Sequence, residues 1–219
     1  MEKISKWQRL LQIWTPICAV LFALVFIGQI LYVQSLYDSG TDPLGEYSTW
    51  DFALVVSLVQ LLAGALYILI IIFLAGFMLR SAQLIKQVSA TEFQGKAGWA
   101  IWGFVVPFAN YFIPFRILRS IKSFAKYDEA TSKKNRTLLF LFWMPFTVAN
   151  VVDAQTLRRS LTDDAITFDS LSFQAWGDLV SALATLIASL ALFWLVPALY
   201  KGIQHRMNAI NTAPTDATS

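Results

Sequence analysis

The sequence predicts an all-α integral membrane protein with four transmembrane helices. Of its 219 residues, 57% are hydrophobic and only 14% are charged, and the mean hydropathy is +0.56. Soluble domains, by comparison, carry about 25% charged residues. The apolar residues also form long runs, and a helix needs about 20 of them to cross a bilayer. We therefore expect one transmembrane helical domain over residues 1–210, followed by a disordered tail over 211–219.

Four segments are predicted to cross the membrane. Residues 13–33, 52–79 and 174–200 are long enough by themselves. The segment 138–154 is shorter, and it reaches the required length if Asp153 lies at the interface. The first segment follows three basic residues, is longer than the apolar region of a cleaved signal peptide and lacks a small-residue cleavage site, so it is expected to remain as an anchor.

A fifth apolar segment, residues 98–115, is interrupted by two prolines and an asparagine. Pro107 and Pro114 lack a backbone N–H and leave carbonyl groups unpaired. Such groups must find partners in protein or water, and the Asn110 amide can donate to one of them. We interpret this segment as re-entrant or interfacial. A kinked but ordinary span is the alternative, and a faint repetition of motifs 40 residues apart would also favour five spans.

The distribution of basic residues favours the non-crossing interpretation. Loops with excess Lys and Arg stay in the cytoplasm, and the loop over 34–51 carries four acidic residues and no basic residue. If residues 98–115 do not cross, all of the 17 basic residues except Arg158 and Arg159 are cytoplasmic. This count predicts a multi-pass membrane protein with both termini in the cytoplasm.

A basic amphipathic helix is predicted over residues 115–127. One face carries Ile117, Leu118, Ile121, Phe124 and Ala125, and the other carries Arg116, Arg119, Lys122 and Lys126. A helix of this kind lies in the membrane interface and is attracted to anionic lipid. We therefore expect it to dock on the anionic cytoplasmic leaflet. The alternative is a solvated basic face beside a partner protein.

The order of these segments resembles a known family. A tryptophan-rich apolar segment precedes Pro107-x-x-Asn110-x-x-x-Pro114-Phe115-Arg116, and a helix and an apolar segment around Trp143 follow. From about Trp14 to Gln204 the chain is similar to the bacterial membrane family called domain of unknown function 4328. The resemblance implies a multi-span bacterial membrane protein and implies no activity.

Asp178 is the candidate functional residue inside a span. Ionisable side chains within membranes are costly and often mark ion or proton pathways. Asp178 can alternatively pair with Arg158 or Arg159, or remain hydrated near the start of its helix, where a carboxylate is favourable.

Other residues in the spans are predicted to mediate helix packing. Gln29 and Gln60 are polar amides that bond to neighbouring helices in lipid. Ser181, Ala184 and Ala188 form a stripe of small residues, which allows helices to approach closely. The stripe can serve this bundle or a partner subunit.

Signs of catalysis are missing from the sequence. The chain has one cysteine and one histidine, and it lacks the HExxH, GxSxG and phosphate-loop motifs. The basic run adjoins the membrane, which argues against nucleic-acid binding. We expect no metal, no cofactor and no enzymatic activity.

The interpretation that follows is a non-catalytic protein of a bacterial inner membrane, which serves as an accessory, scaffold or assembly subunit of a larger membrane complex. It would contact a membrane-protein partner or form a homo-oligomer. The alternative is a small transporter or channel component that uses residues 98–115 and Asp178. An intramembrane enzyme is a third hypothesis.

Overall fold

The computed structural model describes residues 1–38, 47–89, 93, 96–105, 109–162 and 168–212, with the side chains of 47–53, 105 and 109–111 excepted. Every regular element in these ranges is an α-helix. The helices are α1 (Glu2–Asp38), α2 (Tyr47–Val88), α3 (Trp99–Val105), α4 (Ala109–Phe124), α5 (Glu129–Thr162) and α6 (Phe168–Thr212). The predicted all-α class is confirmed.

Four helices, α1, α2, α5 and α6, are long and apolar enough to cross a membrane. Each contains one of the four predicted crossing segments. The helices are longer than those segments: α6 has 45 residues, or about 67 Å at 1.5 Å per residue, roughly twice the thickness of a hydrocarbon core. The predicted tail 211–219 begins inside α6, and from residue 213 onwards it lies outside the described residues.

The described residues form two compact units, and the first contains Met1–Trp14, Leu69–Phe140 and Ala191–Ser219. Two glycines in this unit lie in close contact with neighbouring residues. A Cβ atom on Gly76 would lie 2.8 Å from carbons of the Trp7 ring. A Cβ atom on Gly202 would lie 2.7 Å from the Ala125 Cβ and would overlap the Ala125 carbonyl oxygen. Glycine at these two positions therefore allows the helices to approach.

The segment 98–115 doubles back on itself within this unit. Helix α3 ends at Val105 and α4 begins at Ala109. A Cβ atom on Gly103 would lie 3.0 Å from Ile113 Cγ2 and 3.2 Å from Pro114 Cδ. Residues ten apart in a continuous helix are separated by about 15 Å, so α3 and α4 form a helical hairpin. The segment is not one continuous helix.

Helix α4 begins six residues before the predicted start of the amphipathic helix at 115. Pro114 lies inside α4, where its missing N–H removes one intrahelical hydrogen bond. The apolar face is the one predicted: Ile117, Leu118, Ile121, Phe124 and Ala125 are all buried. These side chains pack inside the protein and are not available to lipid.

The second unit contains Thr15–Ile68 and Leu141–Leu190. Aromatic side chains join three of its helices, because the Tyr67 ring lies 5.9 Å from Phe22 and 6.4 Å from Phe146, measured between ring centroids. The predicted small-residue stripe on α6 is buried: Ser181, Ala184 and Ala188 are at most 9% exposed. Small side chains at this face let α6 pack closely inside the unit.

Candidate functional site

A polar pocket lies within the second unit, between α1, α2 and α6. Its volume is about 160 Å³, and its polar lining comes from Gln29, Tyr32, Ser57, Gln60, Gln174 and Asp178. Leu171 and Ala175 line the same pocket and belong to an apolar cluster with Val33 and Leu36. Each of the three spanning helices therefore supplies polar side chains to a space that has an apolar wall.

A chain of hydrogen bonds connects the three helices at this pocket. Gln29 Nε2 donates to Gln60 Oε1 at 3.2 Å. Gln60 also hydrogen-bonds to the Asp178 carboxylate. The structure thus brings together Gln29, Gln60 and Asp178, which the sequence singled out separately. Sequence reasoning assigned the two glutamines to packing and Asp178 to a possible pathway, whereas in the structure all three belong to one site.

One atom of this chain of hydrogen bonds has no partner. The Gln29 side chain is only 4% exposed, and its Oε1 atom is buried without a hydrogen-bond partner. An unsatisfied buried acceptor costs about 1–3 kcal/mol. Helix packing alone does not explain why this oxygen is unpartnered. An amide that only joins two helices is most stable when both its carbonyl oxygen and its NH₂ group have hydrogen-bond partners.

A second carboxylate lies near the pocket. Asp153 on α5 accepts a hydrogen bond from the Ser181 hydroxyl and interacts electrostatically with Asp178. Arg159, one of the two predicted partners of Asp178, places its guanidinium carbon 3.8 Å from the centroid of the Phe173 ring. The residue that hydrogen-bonds to Asp178 is instead Gln60, an amide. The local charge of the site is therefore negative.

Sequence reasoning missed two polar residues of the pocket, Tyr32 and Ser57, and placed Gln174 one turn before Asp178 without assigning it to a site. A signal for them was present. Tyr32 lies three residues after Gln29, Ser57 three residues before Gln60, and Gln174 four residues before Asp178. Residues spaced by three or four share a helix face, so each of three apolar spans carries a polar pair on one face.

Pro114, the one residue of the Pro-Asn-Pro motif whose side chain is described, does not line this pocket. Pro107 lies outside the described residues, and Asn110 lies in the first turn of α4 with a side chain outside the described part. Pro114 is buried in the first unit, next to Gly103. What the structure shows for this motif is the reversal of the chain between α3 and α4.

The basic face of α4 is a second candidate site. Arg116, Arg119 and Lys126 are exposed, and Lys122 is half-buried. Burial lowers the pKa of Lys122, and the positive charges of Arg136, Arg119 and Lys126 lower it further. Cations crowded in this way repel one another, and a bound anion would relieve that repulsion.

Asp128 lies between α4 and α5, directly before the first residue of α5. Its carboxylate accepts hydrogen bonds from the Thr131 backbone N–H at 2.6 Å and from the Thr131 hydroxyl at 2.8 Å. This is the geometry of a residue that caps the N-terminus of a helix, here α5. The two hydrogen bonds from Thr131 lower the pKa of Asp128. The neighbouring Tyr127 ring stacks on His205 of α6 at 4.9 Å between centroids.

Comparison with known proteins identifies a family. The family described as domain of unknown function (DUF4328) matches residues 42–201. This range includes the Pro-Asn-Pro motif, the basic face of α4, Gln60 and Asp178, whereas Gln29 lies before it. No curated protein and no solved structure matches the chain.

Replacing Asp128 with Ala is expected to lower the melting temperature of the detergent-solubilised protein near neutral pH, because the cap of α5 is lost. The folded-state pKa of Asp128 is below its usual value of about 3.9. Its contribution to stability is therefore fully present above that value and is lost as the pH falls through the folded-state pKa. The difference in melting temperature between the two proteins should shrink over that acidic range.

Asp128→Asn is the matched control. It keeps an acceptor for the Thr131 N–H but carries no charge, so it should remain capped and show a weaker pH dependence than the wild type. A difference between wild type and Asp128→Ala that is the same at all pH values would contradict the assignment.

Proposed function

The chain belongs to the family described as domain of unknown function (DUF4328), and from that premise we propose that it is a small transporter or channel component of a membrane. The solute binds in the pocket between α1, α2 and α6. The observation that supports this function is the part-buried chain of hydrogen bonds from Gln29 through Gln60 to Asp178, which ends at a buried, unpartnered oxygen of Gln29. Ionisable residues inside spans often line such pathways.

The pocket has the composition of a solute site. Polar groups inside a membrane are costly unless they are satisfied by protein, water or a ligand. Here side chains from three spans converge on one space, and an apolar cluster forms part of its wall. Ligand sites commonly combine apolar walls with a few converging polar groups.

The proposed pathway uses Asp178 and does not use the broken segment 98–115. The sequence suggested a path that used both features. The α3–α4 hairpin belongs to the first unit and Asp178 to the second, and the polar pocket is lined by residues of the second unit alone. The pathway proposed here therefore rests on the Asp178 pocket.

An accessory or assembly subunit is the second candidate function. The spanning part of α2 is only 22% buried within the chain, against 56% for α6. Its exposed side carries large apolar residues that include Leu58, Leu61 and Ile68. This side is where a partner subunit, or a second copy of this chain, would pack in a larger membrane complex.

We also propose the topology that the charge distribution predicts. Both termini lie on the cytoplasmic side of a bacterial inner membrane, and the α3–α4 hairpin enters and leaves on that side. The lengths of the two helices support this: at seven and 16 residues, each is shorter than the about 20 residues that a crossing requires. The basic face of α4 then lies at the cytoplasmic surface.

The basic face of α4 is proposed to bind anionic lipid headgroups. Its apolar face is buried in the protein, so the contact is electrostatic and does not involve insertion of apolar side chains. Basic residues near an anionic surface contribute about 1 kcal/mol each. The mutual repulsion of Arg119, Lys122 and Lys126 favours a phosphate group at this position.

Asp178→Asn is expected to reduce flux through the protein in liposomes by about tenfold, because a charged hydrogen-bonding group is worth roughly 1.5–3 kcal/mol. Proton-sensitive and ion-sensitive dyes trapped inside proteoliposomes would report the flux under an imposed potential. Asp169→Asn is the matched control, since Asp169 is exposed on the same helix and does not line the pocket; it should keep the wild-type rate.

Two results would contradict the transport function. One is wild-type flux no higher than that of protein-free liposomes, and the other is an unchanged rate in Asp178→Asn. If either result came with a stoichiometric partner protein retained after gentle detergent extraction, the accessory-subunit function would be favoured instead.

Single cysteines at Lys96 and Lys133 would test the topology, in a Cys18→Ser background. Both positions are exposed and flank the α3–α4 hairpin. If the hairpin enters and leaves on one side, a membrane-impermeant thiol reagent should label both cysteines from the cytoplasmic face of membrane vesicles. Labelling from opposite faces would instead restore a fifth crossing.

The triple variant Arg119→Gln, Lys122→Gln, Lys126→Gln would test the lipid contact. Phosphatidylglycerol is expected to raise the melting temperature of the wild-type protein more than phosphatidylcholine does, because only the former carries a net charge. The triple variant should lose most of this difference, and added salt should weaken it in the wild type. An equal preference for the anionic lipid in both proteins would exclude the basic face as the binding site.

A further inference from the structure

The hydrogen bonds around Asp178 determine what kind of ligand the pocket accepts. An ionised carboxylate only accepts hydrogen bonds, so Gln60 must present its amide NH₂ group to Asp178. Its Oε1 atom then faces Gln29, and Gln29 must donate its own Nε2, as observed at 3.2 Å. The only end of Gln29 left over is the carbonyl Oε1, which is buried and unpartnered.

This chain of hydrogen bonds therefore has an electron-rich oxygen at each of its two ends. At one end is the Asp178 carboxylate, and at the other is the Gln29 carbonyl oxygen. Tyr32 and Ser57 add hydroxyl oxygens to the same lining. A group that satisfies these oxygens must carry hydrogen-bond donors or a positive charge.

We infer that the pocket binds a small monovalent cation through the Asp178 carboxylate and the neighbouring amide and hydroxyl oxygens of its lining. This inference rests on the proposed function and names its solute class. Burial of a carboxylate near apolar side chains is unfavourable unless an opposite charge compensates it. Asp153 adds a second negative charge within electrostatic range of Asp178, which strengthens the attraction for a cation.

The donor set favours one positive charge over two. Among the described residues, no group of three or more His, Cys, Asp or Glu side chains is placed to hold a metal ion. Hard divalent cations are usually bound through several carboxylates. In this pocket one carboxylate is combined with amide and hydroxyl oxygens, which suits an alkali ion or a small ammonium ion.

The volume of the pocket agrees with this class. A space of about 160 Å³ can hold an alkali ion with a few waters, since one water occupies about 30 Å³ in the liquid, or a small amine. Alkali ions and small ammonium ions share the required chemistry, which is a single positive charge that seeks oxygen acceptors. The experiment described next distinguishes alkali ions from small ammonium ions.

The test uses the full-length protein in detergent and measures its melting temperature. Samples in choline chloride are titrated with sodium, potassium or methylammonium chloride at constant ionic strength, so that general screening cancels. A cation that binds only the folded protein raises the melting temperature in a saturable way. We expect at least one of the three salts to do so, and a response to none of them would overturn the inference.

Variants then locate the binding site. Asp178→Asn and Gln29→Leu should each raise the half-saturating cation concentration by roughly tenfold or abolish the response. Asp169→Asn, which changes the same type of residue outside the pocket, should keep the wild-type response. Each variant is compared with itself in choline, so a change in intrinsic stability does not mimic the effect. If Gln29→Leu fails to fold, Asp178→Asn remains as the second variant.

Three patterns separate this inference from the proposed function. An unchanged half-saturating concentration in both pocket variants would overturn the cation site. Cation binding at the pocket without any flux in liposomes would leave the site standing and overturn transport. Flux that depends on Asp178 without a cation-dependent shift in melting temperature would overturn the cation inference alone.

Discussion

The lack of water in the core of a bilayer is the constraint on which the structure depends. Backbone groups there must be satisfied within the protein, and helices do this locally. The constraint applies to side chains as well: Gln29, Gln60 and Asp178 lie in spans that otherwise offer few partners, so they associate with one another. The helical architecture and the polar pocket are thus two results of one cause.

The four helices that are long and apolar enough to cross a membrane could be predicted from the sequence, because hydropathy and length are properties of each segment by itself. The apolar face of α4 could also be predicted, since its period of 3.6 residues is a local property. The reversal between α3 and α4 could not. The reversal depends on the close contact of Gly103 with Ile113 and Pro114. Prolines in a sequence indicate that a helix is interrupted, but they do not indicate the direction of the chain after the interruption.

The candidate site was only partly visible in the sequence. Asp178 stands out by itself because an acid in an apolar run is costly. Its partner could not be read from the sequence, since opposite charge suggested Arg158 or Arg159, whereas packing places Gln60 against it. Which faces of three helices meet is a tertiary property. The polar pairs on α1, α2 and α6 narrow the choice of faces, but they do not establish which pairs converge.

Burial of the apolar face of α4 changes what its basic face can do. A helix that inserted apolar side chains into the bilayer would bind lipid by two additive forces, and only one of them would depend on salt. With Ile117, Leu118 and Ile121 buried in the protein, only charge remains at this surface, and an exposed charge is screened over about 10 Å at moderate ionic strength. The Asp178 pocket lies in a less polar environment, where screening by salt is weaker. Ionic strength therefore distinguishes the two candidate sites: a ligand of the basic face is displaced by salt in general, whereas a ligand of the pocket is displaced by ions that fit its oxygens.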